Sequence, residues 1–284
     1  MAGDARVLVV GADGMIGGAV AARLEAAGVA VMRTSRRGTV GSIPLDLARF
    51  SASWTPPPGI TAAVLCAAVT STDACRDRPE ECRRVNVEAT LELGLRLAET
   101  GARLVFVSTN MVFDGSVPFT PATAPRAPRT AYGRMKAEAE EKLLALDGGT
   151  TVVRLTKVVG RGLPIIRGWR DSLARGEVIR PLSDLVLAPV SLDLAATVIA
   201  AAAREALGSL LQVSSRADVS YADAARRLAA HWGYSPAVVN SVTVAESGVR
   251  LEHVPRHTTL DASDVRDRLG LEPPDPWAAI DEVA

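Results

Sequence analysis

Tyr132 and Lys136 stand four residues apart in the run Tyr132-Gly133-Arg134-Met135-Lys136, a spacing that puts a phenol and an ammonium on one face of a helix. An ammonium held there is expected to lower the phenol's pKa and to reach a nicotinamide ribose. The phenol can then donate a proton to a carbonyl oxygen as hydride arrives at the carbon. Upstream, Leu104–Val107 reads as a strand that delivers Ser108-Thr109 to its C-terminal end, the edge of a parallel sheet where ligands bind. A second constellation, Gly11-Ala12-Asp13-Gly14-Met15-Ile16-Gly17, follows the strand-like run Val7–Val10 and opens a helix. Gly11 permits a tight turn, Gly14 lets the backbone approach a pyrophosphate, and Gly17 lets the helix pack closely on the strand. The free N–H groups at the helix start attract the phosphates. The next strand ends at Met32-Arg33-Thr34-Ser35-Arg36-Arg37, with no acid to accept from ribose hydroxyls. Two guanidinium groups there suit a 2′-phosphate, so NADP(H) is expected over NAD(H). The competing reading is a solvated loop at Arg36 and Arg37.

The elements that must position these groups alternate in βαβα order, which implies an α/β fold with a doubly wound parallel (Rossmann) sheet and right-handed crossovers. Val7–Val10, Ala30–Met32, Ala62–Cys66, Leu104–Val107 and Val152–Leu155 are the strand candidates. Met15–Ala27, stopped by Gly28, Glu80–Glu99, closed by Gly101, and Ala131–Leu146, closed by Gly148-Gly149, are the helices. After about residue 156 the rhythm loosens. Helices are expected at Leu192–Ala206, Tyr221–His231 and Ser263–Leu269, with a strand at Leu210–Val213. This reads as a dinucleotide-binding domain over residues 1–156. A smaller C-terminal substrate lobe over 157–284 is interleaved with the last sheet strands. Trp54–Pro58 and Pro118–Pro128 read as surface loops, the second placed where a lid would belong.

Composition narrows the class. With 284 residues, 48% hydrophobic, there is ample material for a core. The 32 Lys+Arg balance 32 Asp+Glu, which removes the electrostatic case for a nucleic acid or an anionic membrane. The longest small-apolar stretch, Leu194–Ala203, is too short to span a bilayer, and no signal peptide is read before Arg6. Cys66, Cys75 and Cys82 are an odd set without metal spacing, and Pro255 separates His253 from His257, so no metal site is expected. Reduced thiols and a cytoplasmic setting follow.

Taken in order, GADGMIG, AAVTSTDACRDRPEECRRVNVEAT (Ala67–Thr90), VSTNMVFDG (Val107–Gly115), AYGRMKAEAE (Ala131–Glu140), VVRLTKVVG (Val152–Gly160), APVSLDLA (Ala188–Ala195) and the tail PRHTTLDASDVRDRLGLEPPDPW (Pro255–Trp277) cover nearly the whole chain. In this combination the sequence resembles the extended short-chain dehydrogenase/reductases, within them the dTDP-4-dehydrorhamnose reductase-like, sugar nucleotide-binding branch. The resemblance implies that Thr109 holds the substrate carbonyl, Tyr132 donates the proton and Lys136 partners it. It places Gly11, Asp13, Gly14, Met15, Ile16, Gly17, Arg36, Arg37, Leu47 and Val69 at the cofactor. Asp46 would meet the adenine amino group, Ala67-Ala68 would line the cofactor cleft, and Asn86 would anchor the helix beneath it. A buried Asn86 satisfied by backbone is the equal alternative. Thr70, Asn110, Met111 and Lys157 fall on the substrate side.

Two departures bear on substrate. Asn110-Met111 replaces the Asp-Tyr of many rhamnose-type reductases, and it also lacks the Asp-Glu pair that the superfamily's dehydratases use to expel water. Lys157 stands where the branch has a Trp, so an apolar wall for a deoxysugar becomes a cation. The activity implied is NADPH-dependent reduction of a keto group, on a nucleotide-linked 4-keto-6-deoxysugar, by an enzyme for which a homodimer is compatible. The alternatives are a non-catalytic NADP-binding module similar to the methionine adenosyltransferase β subunit, or a ketoreductase or epimerase acting on another small molecule.

Overall fold

The computed structural model describes residues 5–51, 53–146, 149–160 and 162–284. The apolar runs Val7–Val10 and Ala62–Leu65, buried on both faces, lie in the strands β1 (Arg6–Val10) and β4 (Ala62–Leu65). Strands β2 (Ala30–Ser35), β5 (Arg103–Thr109) and β6 (Thr150–Leu155) carry polar residues as well, and β3 (Ile43–Pro44) has two residues. Further along lie β7 (Lys157–Val159), β8 (Val186–Leu187), β9 (Pro189–Ser191), β10 (Leu210–Val213) and β11 (Val219–Ser220). Seven of them make one sheet in the order β10-β6-β5-β4-β1-β2-β3, and β1 pairs in parallel with both β2 and β4. The strand order reverses beside β1, so the crevice at the C-terminal ends of β1 and β4 is the expected ligand site of such a sheet. The doubly wound reading holds.

The helices are α1 (Met15–Ala26), α2 (Thr72–Asp77), α3 (Pro79–Arg83), α4 (Thr90–Glu99), α5 (Ala131–Leu144), α6 (Pro164–Ala174), α7 (Leu192–Arg204), α8 (Tyr221–His231), α9 (Val244–Ser247), α10 (Ser263–Leu269) and α11 (Pro276–Asp281). The helix expected over Glu80–Glu99 is present as a continuous helical stretch, made of α3, a π-helical turn over Arg84–Ala89, and α4, and Gly101 follows it at φ +81°. Asn86 lies within this wider turn, and its buried amide is committed to the backbone of Val69. Helices α6 and α11, both opened by proline at the first turn, went unread in the sequence. Of the two glycines expected to close α5, Gly149 takes φ +81°, and Gly148 lies outside the described residues.

Backbone contacts divide the chain into two compact units. The first comprises Met1–Phe113, Pro125–Arg154 and Asp193–Leu211, the second Asp114–Ala124, Leu155–Leu192 and Gln212–Ala284. The core of the first packs Leu8, Leu65, Leu93, Leu97, Leu104, Phe106 and Leu143 between sheet and helices. The core of the second is built on Val159, Ile166, Trp169, Leu173, Leu228 and Ile280. Among the described residues no helix is long and apolar enough to cross a membrane, and no group of His, Cys, Asp and Glu could hold a metal ion.

Candidate active site

The glycine turn is closed so tightly that side chains are excluded. Gly11 takes φ +84°, and a Cβ there would lie 2.9 Å from the Ala67 backbone. A Cβ on Gly17 would lie 2.3 Å from the Gly11 carbonyl oxygen. These are the close approaches that a turn between strand and helix needs if its N–H groups are to face a ligand. Gly14 is the residue that precedes α1, in extended conformation, and no side chain caps the helix start. Met15 opens the helix and is partly exposed, and Ile16 follows it half-buried.

Asp13, inside this turn, is tied to the loop after β2. Its carboxylate accepts from the hydroxyls of Ser35 and Thr39, the latter at 2.9 Å. Those two hydroxyls and the nearby Arg37 guanidinium hold the Asp13 carboxyl below its usual range. Ser35 also accepts from the Arg37 backbone N–H at 3.0 Å, so the segment carrying Arg36 and Arg37 is pinned beside the glycine turn. Both arginines are exposed. Asp46 caps the short 3-10 turn Leu47–Arg49 by accepting from the Ala48 N–H at 3.0 Å, and Leu47 is buried in the core.

On the other side of β1, Ala67, Ala68 and Val69 continue from β4, half-buried, and Thr70 is exposed. Asn86 holds this segment as a backbone partner would. Its Oδ1 accepts from the Val69 N–H at 2.7 Å and its Nδ2 donates to the Val69 carbonyl at 2.9 Å. The buried-polar reading and the anchoring reading of Asn86 therefore describe one arrangement.

Thr130 caps α5 by accepting from the Gly133 N–H at 3.0 Å. Gly133 is required here, because a Cβ would lie 2.2 Å from the Met111 carbonyl oxygen. The close approach draws the start of α5 against the 3-10 turn Asn110–Val112, which the Thr109 hydroxyl caps by accepting from the Met111 N–H at 3.2 Å. Tyr132 and Met111 share one apolar cluster with Val69, Cys75 and Met135, so proton donor, cofactor-side and substrate-side candidates converge within the first unit.

Electrostatically the pair differs from expectation. Burial pushes the Tyr132 phenol above its usual range, with Cys75 adding to the rise, and Lys136 does not counter it. The Lys136 ammonium is buried, donates to the Val107 carbonyl at 2.6 Å and lies 3.7 Å from the centre of the Phe106 ring. Burial draws its pKa down to about 7, against opposing pulls from Glu140 and Cys66. Lys136 here braces β5 and leaves the phenol to desolvation.

Glu140 was missed in the sequence, although it stands one helical turn beyond Lys136. Fully buried, it accepts from the Ser108 hydroxyl at 2.5 Å and from Arg154 at 2.7 Å, with Arg126 at 3.6 Å. It thereby ties α5 to β5, immediately before Thr109, and to β6. The i, i+4 spacing from Lys136 was the available signal. Lys157 opens β7, in the second unit.

A family model described as the RmlD substrate binding domain matches residues 5–284. The chain belongs to this family. Among its relatives, a probable dTDP-4,6-dihydroxy-2-methyloxan-3-one 4-ketoreductase from Streptomyces antibioticus is 30% identical over 237 residues, 78% of this chain and 76% of the relative. The methionine adenosyltransferase 2 subunit beta of Bos taurus is 33% identical over 98 residues, 34% of this chain and 29% of that one. The RmlD-family fold is shared with a crystal structure of dTDP-4-dehydrorhamnose reductase from Bacillus anthracis in complex with NADP. The TM-score is 0.84 at 19% identity, covering 100% of this chain and 98% of that one.

Proposed function

We propose that this RmlD-family chain is an NADPH-dependent reductase of a keto group carried on a nucleotide-linked 4-keto-6-deoxysugar. The observation that carries the reading is the first unit's constellation: a buried phenol at Tyr132, the Lys136 ammonium docked one helical turn away against β5, and the Thr109 hydroxyl at the end of that strand. The ketoreductase relative, matched over most of both chains, supports the same class. The close-packed glycine turn supports a pyrophosphate site, and the exposed Arg36 and Arg37, with Arg37 near enough to act on Asp13, would take a 2′-phosphate. The nicotinamide, when bound, supplies the hydride.

The chain's residues supply the rest. Thr109 orients the carbonyl oxygen by donating its hydroxyl proton in a hydrogen bond. Tyr132 transfers its phenolic proton to that oxygen as the carbonyl carbon is reduced. Burial keeps Tyr132 protonated through the neutral range, so the donor form is the resting form. Lys136 must exchange its bond to the Val107 carbonyl for the phenolate that results, and its lowered pKa lets it return a proton to that oxygen. Gly133 and Asn86 keep the walls of the site in place.

Oxidation of NADPH in the presence of a panel of nucleotide-linked ketosugars tests the proposal, and Tyr132→Phe should slow turnover by about 10²- to 10⁴-fold. Turnover undiminished in Tyr132→Phe refutes the assigned proton donor. Tight NADPH binding with no turnover on any sugar refutes the reductase reading in favour of a binding module. Replacing Arg36 and Arg37 together by alanine should weaken NADPH binding and spare NADH, and equal losses would remove the arginines from cofactor choice.

A further inference from the structure

Two residues of α5, one helical turn apart, grip consecutive residues of β5, all within the first unit. The Lys136 ammonium donates to the Val107 carbonyl at 2.6 Å, and the Glu140 carboxylate accepts from the Ser108 hydroxyl at 2.5 Å. Glu140 is itself fixed from β6, its Oε1 accepting from Arg154 Nε at 3.1 Å and its Oε2 from Arg154 Nη2 at 2.7 Å. All three charged side chains are buried. A buried ion pair is a poor device for stability alone, because apolar residues of similar volume fill an interior without the desolvation cost. What the pair does supply here is direction. Thr109 follows Ser108 in extended conformation, and successive strand residues alternate in face. With Ser108 committed to α5, the side of β5 on which Thr109 presents its hydroxyl is set.

The second grip matters because the first must open during turnover. Lys136 gives up the Val107 carbonyl to meet the Tyr132 phenolate, and β5 then loses the bond that held it to α5 at that point. The Ser108–Glu140 bond, one residue on, involves no reacting group and stays closed. We propose that Glu140 is a positioning residue for the reduction: through Ser108 it holds the end of β5, and with it the Thr109 hydroxyl, while Lys136 leaves Val107 to serve Tyr132. The proposal rests on the reductase reading above, whose proton donor and partner it takes as given. A charge effect accompanies the hold. Lys136 is faced by Glu140 from its own helix, by the Cys66 thiol beyond β4, and by the Phe106 ring and the Val107 carbonyl of β5. Glu140 is faced by Ser108 of β5, Arg154 of β6 and Arg126 of the segment before α5. Burial draws the Lys136 pKa down to about 7, and Glu140, ahead of Cys66, resists that fall and keeps the ammonium charged closer to neutrality.

Steady-state reduction of dTDP-4-keto-6-deoxyglucose by NADPH, followed across the Lys136 titration from about pH 6 to about 9, separates the two effects. Ser108→Ala removes the tether and leaves the carboxylate, so kcat should fall by about 10- to 100-fold, by the same factor at every pH. Glu140→Gln also removes the charge, so its loss in kcat should deepen as pH rises, because the ammonium then deprotonates below about 7. Glu140→Asp keeps the charge on a shorter arm and should lower kcat while retaining the parent's pH profile. The Kd for NADPH should stay at the parent's value in all three, since no group of the glycine turn is touched. Where Glu140→Gln does not fold, Glu140→Gln combined with Arg154→Met strands no charge and takes its place. A parent-like kcat in Ser108→Ala overturns the proposal. So does a loss in Glu140→Gln that is one constant factor across pH, or one that tracks the fraction of protein able to bind NADPH, since unfolding alone would produce either. If the parent reduces no ketosugar, the reductase reading falls, and the hold on Thr109 is judged from hydrogen exchange at the Met111 N–H, which donates to the Thr109 hydroxyl. Exchange faster by about 2- to 10-fold in Ser108→Ala supports the hold, and exchange at the parent's rate overturns it.

Discussion

Replacing Glu140 by glutamine should disturb both the stability of the first unit and the charge state of Lys136. The carboxylate is 0% exposed and its partner Arg154 2% exposed, so neither can recover its lost partner from solvent. Breaking a buried pair from one side costs about 3–5 kcal/mol. Glutamine keeps one acceptor for Arg154 or Ser108 but turns an N–H₂ toward the other donor, so the lower end, about 3 kcal/mol, is expected. At roughly 2–4 °C per kcal/mol for a chain of this size, the melting temperature should fall on the order of 10 °C. Glu140 also opposes the burial that depresses Lys136, so its loss should move the Lys136 pKa further below about 7. Thermal unfolding reads the first effect, and NMR titration of the lysine side chains reads the second. Adding Arg154→Met to Glu140→Gln should cost less than the sum of the single substitutions, because no charge is then left stranded. A Glu140→Gln protein that melts with the parent and keeps the parent's Lys136 titration would refute this account of the α5–β5–β6 junction.

Gly17→Ala must displace the Gly11 carbonyl, 2.3 Å from the new Cβ, and should cost about 1–3 kcal/mol in thermal unfolding while weakening NADPH binding. Asn86→Ala leaves the N–H and C=O of Val69 without their partner and should destabilise by about 1–3 kcal/mol, with a rise in KM for the cofactor as the readout of loop position. The Lys136 pKa of about 7 lies below the value of a free lysine, so between these limits the unfolded chain holds a proton that the folded chain lacks. This group therefore makes stability rise with pH from about 7 toward 10, by at most about 1.4 kcal/mol per pH unit. Comparing melting temperature against pH for the parent and Lys136→Met should show a shallower dependence in the variant, and parallel curves would mean that Lys136 is charged throughout.

What could be read in the sequence was local. Glycines at 11, 14 and 17 and a phenol four residues before an ammonium are spacings that one turn or one helix face enforces. The runs Val7–Val10 and Ala62–Leu65 were legible for the same reason, since a strand covered on both faces tends to be apolar without interruption. The use to which the helical stretch over residues 79–99 puts Asn86 was not legible, because its partner is the backbone of Val69, 17 residues away. Nor was the electrostatics of the site. Spacing alone pairs Lys136 with Tyr132, whereas in the fold the ammonium donates to Val107, 29 residues upstream, and the phenol answers to burial. Glu140, Ser108 and Arg154 meet only because α5 crosses behind β5 and β6. The residue types and the sheet that carries them were determined by sequence. Which charges are paired or desolvated was decided by tertiary structure, because hydration is lost to whichever distant segment packs on top.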